Sequence, residues 1–99
     1  MKVRWVRPAI ADLEAIGDAV AAEDPEEARR LVARILAHAD TLGQHAHVGR
    51  SGRLAGTREF RIPGTPFVVA YHPHEETIEV LAIFHGARIW PPPPEPAGG

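Results

Sequence analysis

A glutamate and an arginine two residues apart, Glu59 and Arg61 in "TREFRI", fall on one side of an extended strand. His85 closes an apolar run, "TIEVLAIFH", that reads as a second strand. Period two sets Ile78, Val80, Ala82 and Phe84 on one face of that strand, and Glu79, Leu81, Ile83 and His85 on the other. With the Phe60 and Val80 faces turned to the core, Glu59, Arg61 and His85 meet on the opposite, open face, with Tyr71 near them if its register agrees. A carboxylate, a guanidinium and an imidazole gathered there suit general acid–base attack on a phosphodiester. The same parity also describes a solvated Glu59–Arg61 pair and a histidine capping a strand end, so both readings stay open.

The glutamate lies in "GRSGRLAGTREFRIPG", residues 49–64, which carries Arg50, Arg53, Arg58 and Arg61 in a chain of net charge −2. Residues 9–28 hold seven carboxylates and no lysine or arginine. The molecule is therefore dipolar, and its basic patch suits a charged partner. Gly49, Gly52 and Gly56 resemble a phosphate-cradling loop but lack the Lys-Ser/Thr and the following helix that such a loop requires. His38, His45 and His47 match no ligand frame, and there is no cysteine, so neither a metal nor another cofactor is expected. Trp5 and Trp90 are candidates for base stacking, or for partly buried core.

The elements that position these residues are legible in outline. "KVRWV" predicts a short strand and "RPAIADLEAIGDAVAAED" a helix, with Pro8 in its first turn. Asp24, Pro25, Glu26 and Glu27 form a strong helix start, and apolar spacing continues from Ala28 to Leu42 before Gly43. So short a connection makes the two helices a hairpin. Residues 44–55 read as loop. "TREFRI", "TPFVVAYH" and "TIEVLAIFH" then follow as strands, with Pro63 and Gly64 at the centre of a type II turn. The fold class is α+β, strand-helix-helix-strand-strand-strand, with the helical hairpin on one face of a small antiparallel sheet. Residues 1–91 form one domain, and residues 92–99, rich in proline, a disordered tail.

With 99 residues, 44% hydrophobic and 24% charged, the composition is that of one soluble domain. No run approaches the ~20 apolar residues of a membrane span, and the N-terminus is no signal peptide; a cytoplasmic protein is expected. A sequence pI near 6.3 argues against direct binding to nucleic acid over the whole surface.

Within this frame, "GRSGRLAGTREFRIPGTPFVVAYH" and "VLAIFHGARIWP" resemble the RelE/ParE family, the toxins of bacterial toxin–antitoxin modules, over residues 2–91. The resemblance implies one of two activities: metal-independent cleavage of messenger RNA on the ribosome, with Glu59, Arg61 and His85 as the catalytic set, or poisoning of DNA gyrase without catalysis. Ribosome-dependent members are commonly basic and carry an arginine where this chain has Phe67 and Val68, so the gyrase side is favoured. The chain also departs at Arg7, where a capping residue often precedes the proline. The resemblance further implies a cognate antitoxin. Arg50, Arg53, Arg61, Leu81 and Ile83 are its expected contacts, and His85, Arg88 and Trp90 those of the target. A non-toxic binding module built on this fold is a third reading.

Overall fold

The computed structural model describes residues 1–94; the expected disorder of the last five residues lies outside them. Strand β1 (Lys2–Trp5) leads into helices α1 (Arg7–Ala21) and α2 (Pro25–Thr41). Strands β2 (Arg50–Ser51), β3 (Arg58–Arg61), β4 (Phe67–Pro73) and β5 (Thr77–His85) follow. They form one sheet in the order β1-β5-β4-β3-β2.

The last three strands are the expected antiparallel meander. Between β3 and β4, Gly64 takes φ +76° and the Thr65 N–H donates to the Ile62 carbonyl at 3.1 Å, the geometry a Pro-Gly turn supplies. Two features depart from the sequence reading. β1 lies parallel to β5, Val3 beside Ile78 and Trp5 beside Val80, so the sheet is mixed rather than wholly antiparallel. A tight turn dictates antiparallel neighbours, whereas β1 finds its partner across both helices, where no local signal reaches. Strand β2 is the second; its two residues pair with Arg58 and Glu59 but are too few to show a period.

Helix α2 starts as its sequence dictates. The Asp24 carboxylate accepts the Glu26 and Glu27 N–H groups, both at 3.1 Å, and the two glutamates sit at the positive end of the helix dipole. Helix α1 has no side-chain cap: Val6 stands at that position. Its N–H instead donates to the Val80 carbonyl at 3.0 Å, carrying the parallel pairing one residue past β1.

The helices cover one sheet face. Ala9, Ile35 and Leu42 from the helical side and its end meet Ile62, Val69, Tyr71 and Ile78 of the sheet and its turns, all fully buried. Each large aliphatic side chain buried there contributes about 1.5–3 kcal/mol. The other face carries its own apolar cluster, Val68, Ala70, Ala82 and Phe84, with Trp90 packed on it.

Asp24→Ala removes the acceptor of two helix-end N–H groups and should cost about 1 kcal/mol. A lower urea midpoint with an unchanged slope is the expected result; an unmoved midpoint would mean that the cap contributes nothing.

Candidate functional site

What each face displays is set by one extra residue in β5. Ala70 pairs with Ala82, but the next residue, Tyr71, pairs with Val80, leaving Leu81 bulged without a partner. Beyond the bulge the faces exchange. Ile78, Val80 and Ile83 all belong to the core under the helices, whereas Ala82 and Phe84 face away from it. Period two without the bulge assigns Ala82, Ile83, Phe84 and His85 each to the wrong side.

Glu59 and Arg61 do lie on the open face. Glu59 is in register with Ala70 and Ala82, and Arg61 with Val68 and Phe84. His85 pairs with Phe67 on the helix side, its ring edge-on to that phenyl at 5.9 Å. Its Nδ1 accepts the Ala87 N–H at 3.1 Å, so the imidazole caps the end of the strand. Tyr71 also points to the helix side. The expected convergence of Glu59, Arg61 and His85, with Tyr71 nearby, is therefore not the arrangement found.

Glu59 is a structural hub instead. Its carboxylate is buried, accepts the Arg53 N–H at 2.9 Å, and lies 3.4 Å from Arg53 Nε and 3.6 Å from an Arg50 Nη. Oε1 has no hydrogen-bond partner; the two guanidinium charges beside it are what offset its desolvation. The Arg53 guanidinium sits 5.4 Å from the centre of the Phe84 ring and donates to the Arg88 and Trp90 carbonyls at 3.2 and 3.4 Å. Trp90 stacks on Phe84, ring centres 5.4 Å apart and planes 5° from parallel. The segment after β5 is thus folded back over the open face, and Trp90, expected at an accessible sheet end, is half-buried on it.

Of the expected antitoxin contacts, Ile83 is core and Leu81 occupies the bulge, while Arg53, though still exposed, is tied to Glu59 and to the Arg88 and Trp90 carbonyls. Arg50 and Arg61 remain exposed. They flank a pocket of about 340 Å³ that also touches Val68 and Gly86. Among the described residues Arg61 has no ion-pair partner.

A family model described as the ParE toxin of type II toxin–antitoxin systems matches residues 3–90. The chain belongs to this ParE toxin family. It is 33% identical to the proposed toxin Y4kP of Sinorhizobium fredii over 90 residues, covering 91% of this chain and 93% of that one. It is 30% identical to toxin RelE2 of Caulobacter vibrioides, covering 89% and 98% of the two chains. Among solved structures it resembles a chain of the chromosomal ParDE toxin–antitoxin system of Pseudomonas aeruginosa with a TM-score of 0.79. That match has 28% identity and covers 86% and 95% of the chains. A chain of the toxin–antitoxin complex RelBE2 of Mycobacterium tuberculosis gives 0.63, at 26% identity over 85% and 88%.

Two further features of the ParE-family toxin were not visible in its sequence. A groove of about 320 Å³ runs between α1 and the end of β5, lined by Ile16, Val20, Phe67, Ile83, His85 and Arg88. At its edge Asp12 accepts the Ile83 N–H at 3.1 Å, replacing the strand partner that β1 no longer provides. The second feature is a cluster of His72, His74 and Glu79 at the far end of the open face, whose ligand atoms all lie within 4.8 Å of one another. No such cluster among the described residues includes His38, His45 or His47. The His74 hydrogen bond, followed by that from Arg4, holds the Glu79 carboxyl below its ordinary range. No helix of the described residues is long and apolar enough to cross a membrane.

Tyr71 moors the arginine-rich loop from below. Its hydroxyl donates to the Ala46 carbonyl at 2.9 Å and accepts the Gly49 N–H at 3.0 Å, and a Cβ at Gly49 would stand only 2.8 Å from that oxygen. Burial raises the phenol's pKa, opposed by the Gly49 N–H and the Arg58 charge. A raised folded value means that this stabilisation is complete below the unfolded pKa of about 10 and is lost as pH climbs through the folded value. The chain has a single tyrosine, so its phenolate absorbance should emerge only above pH 10 (about the free value), together with loss of circular dichroism. Tyr71→Phe leaves two backbone groups unpaired and should cost about 1–3 kcal/mol. A phenolate titrating as free tyrosine in an intact fold would contradict this mooring.

Proposed function

We propose that this toxin arrests growth by binding and poisoning DNA gyrase in the cytoplasm, without catalysis of its own, and that a cognate antitoxin neutralises it. The observation that supports the reading is the separation of the acid–base candidates. Glu59 is buried against Arg50 and Arg53 on the open face, while His85 faces the helix side and caps its own strand end. A general base must reach the proton it removes, and neither group shares a cavity with the other. The resemblance adds that Phe67 and Val68 stand where ribosome-dependent members carry an arginine; Phe67 lines the groove and Val68 is buried.

The target-binding surface in this reading is the mouth of that groove, with His85 and Arg88 beside the outward Ile89, which is 77% exposed. An arginine next to apolar surface is a residue type that anchors protein interfaces. Trp90 contributes by holding the segment in place. The antitoxin meets the open face, its acidic side chains between Arg50 and Arg61; the structural relatives from Pseudomonas aeruginosa and Mycobacterium tuberculosis belong to toxin–antitoxin systems.

Supercoiling by purified gyrase, with primer extension on messages after induction, tests the reading. Inhibition of supercoiling that the antitoxin reverses is expected, with no codon-positioned cuts. Arg88→Ala should raise the inhibitory dose about tenfold or more, the effect of losing an interface arginine worth at least ~1–2 kcal/mol. Trp90→Ala should act on stability, costing about 1–2 kcal/mol of half-buried stacking. Codon-positioned cuts lost in His85→Ala or Arg61→Ala would establish the nuclease instead. A folded chain that affects neither gyrase nor message would be a non-toxic binding module.

A further inference from the structure

At the end of the sheet away from the groove, β4 and β5 turn tightly through residues 74–76, and the His74 N–H closes the turn on the Thr77 carbonyl at 2.8 Å. His72 and His74, two residues apart, rise from the same side of this hairpin, and Glu79 lies directly across from His72 in the register. The imidazole rings are 4.1 Å apart between centres. His74 Nε2 is 3.4 Å from Glu79 Oε1. One nitrogen of each histidine and one carboxylate oxygen all lie within 4.8 Å of one another.

We propose that His72, His74 and Glu79 form a binding site for a divalent transition-metal ion of the zinc class. Two imidazoles and one carboxylate are the donors that zinc accepts, at about 2.0–2.2 Å, and tetrahedral coordination at that radius places neighbouring ligand atoms about 3.3 Å apart. The His74–Glu79 spacing already has this value. The remaining edges close by rotation of side chains that are exposed or half-buried, so the backbone does not move. The exposure of His74 leaves the fourth position to water. Magnesium and calcium prefer all-oxygen cages, so this donor set discriminates against them.

Arg4 is the competitor. From the neighbouring strand β1 its guanidinium reaches the other Glu79 oxygen at 3.2 Å, as an exposed pair. Zinc takes over the role of that cation while recruiting both histidines. His72 also lies against the arginine-rich loop: its Nε2 is 3.2 Å from where a Cβ on Gly56 would stand. The ion thus ties β4 to β5 at this hairpin, next to the loop, and replaces the Arg4–Glu79 contact with β1. Glu79 and His85 are six residues apart along β5, about 20 Å at ~3.3 Å per residue, so the site is separate from the groove and from the proposed target surface.

Zinc titration of the full chain at neutral pH, by calorimetry with a competing chelator, tests the site, with histidine Cε1–H resonances followed in parallel. One ion per chain is expected, shifting the His72 and His74 resonances and leaving His38, His45, His47 and His85 in place. His72→Ala and His74→Ala should each weaken binding about tenfold or more, and magnesium should not compete. Arg4→Ala should tighten binding, because it frees the carboxylate; this variant and the resonance shifts of the unaltered chain keep the test sound if a histidine variant misfolds. Absence of saturable binding would overturn the proposal. So would affinity that survives loss of both histidines, shifts confined to the other histidines, or weaker binding in Arg4→Ala.

Discussion

The bulge at Leu81 decides what the two sides of this toxin can do. An unbroken β5 would alternate from Thr77 to His85, and every side chain from Ala82 onward would face the other way. The inserted residue lets Ile83 join Ile78 and Val80 under the helices while Phe84 turns outward. A sheet tolerates such an insertion where both options are apolar, and residues 80–84, "VLAIF", offer no polar side chain to penalise either. Two consequences follow. Phe84 becomes the platform on which Trp90 and Arg53 settle, and His85 is placed beside Phe67 at the mouth of the groove rather than beside Arg61.

The platform in turn explains the arginine-rich stretch of an acidic chain. Arg50 and Arg53 neutralise a buried carboxylate, Arg58 donates to the Gly49 carbonyl at 2.7 Å, and Arg61 alone of the four lacks an internal polar partner among the described residues. Much of the apparent basic patch is therefore structural. Taking one member from a buried charge group leaves its partner desolvated, which costs more than the pair itself contributes. Glu59 links β2, β3 and the segment after β5 through this arithmetic, so the open face is held as one unit even though its apolar cluster is small.

Local chemistry was legible in the sequence and long-range register was not. Asp24-Pro25-Glu26-Glu27 and Pro63-Gly64 encode their structures within four residues, and both form as written. The sides of Glu59 and Arg61 followed correctly from Phe60 and Ile62, because β3 is regular. The parallel pairing of β1, the two-residue β2 and the bulge each depend on a partner strand, and "LAIF" fits either face equally well. His72 and His74 stand two apart in a recognisable strand, but Glu79 joins them only once the register is known. Trp90 is a similar case: its stacking on Phe84 depends on Phe84 having turned outward.

Nuclear Overhauser contacts of the His85 ring test this account most directly, because the exchange of faces at Leu81 underlies both the separation of the acid–base candidates and the placement of the groove. Contacts from the ring to Phe67 and to the α1 side chains of the groove, together with Phe84 to Trp90, are the predicted result. Contacts from the His85 ring to Arg61 or Val68, with Phe84 instead seeing Val69 and the helices, would show an unbulged strand and contradict the account.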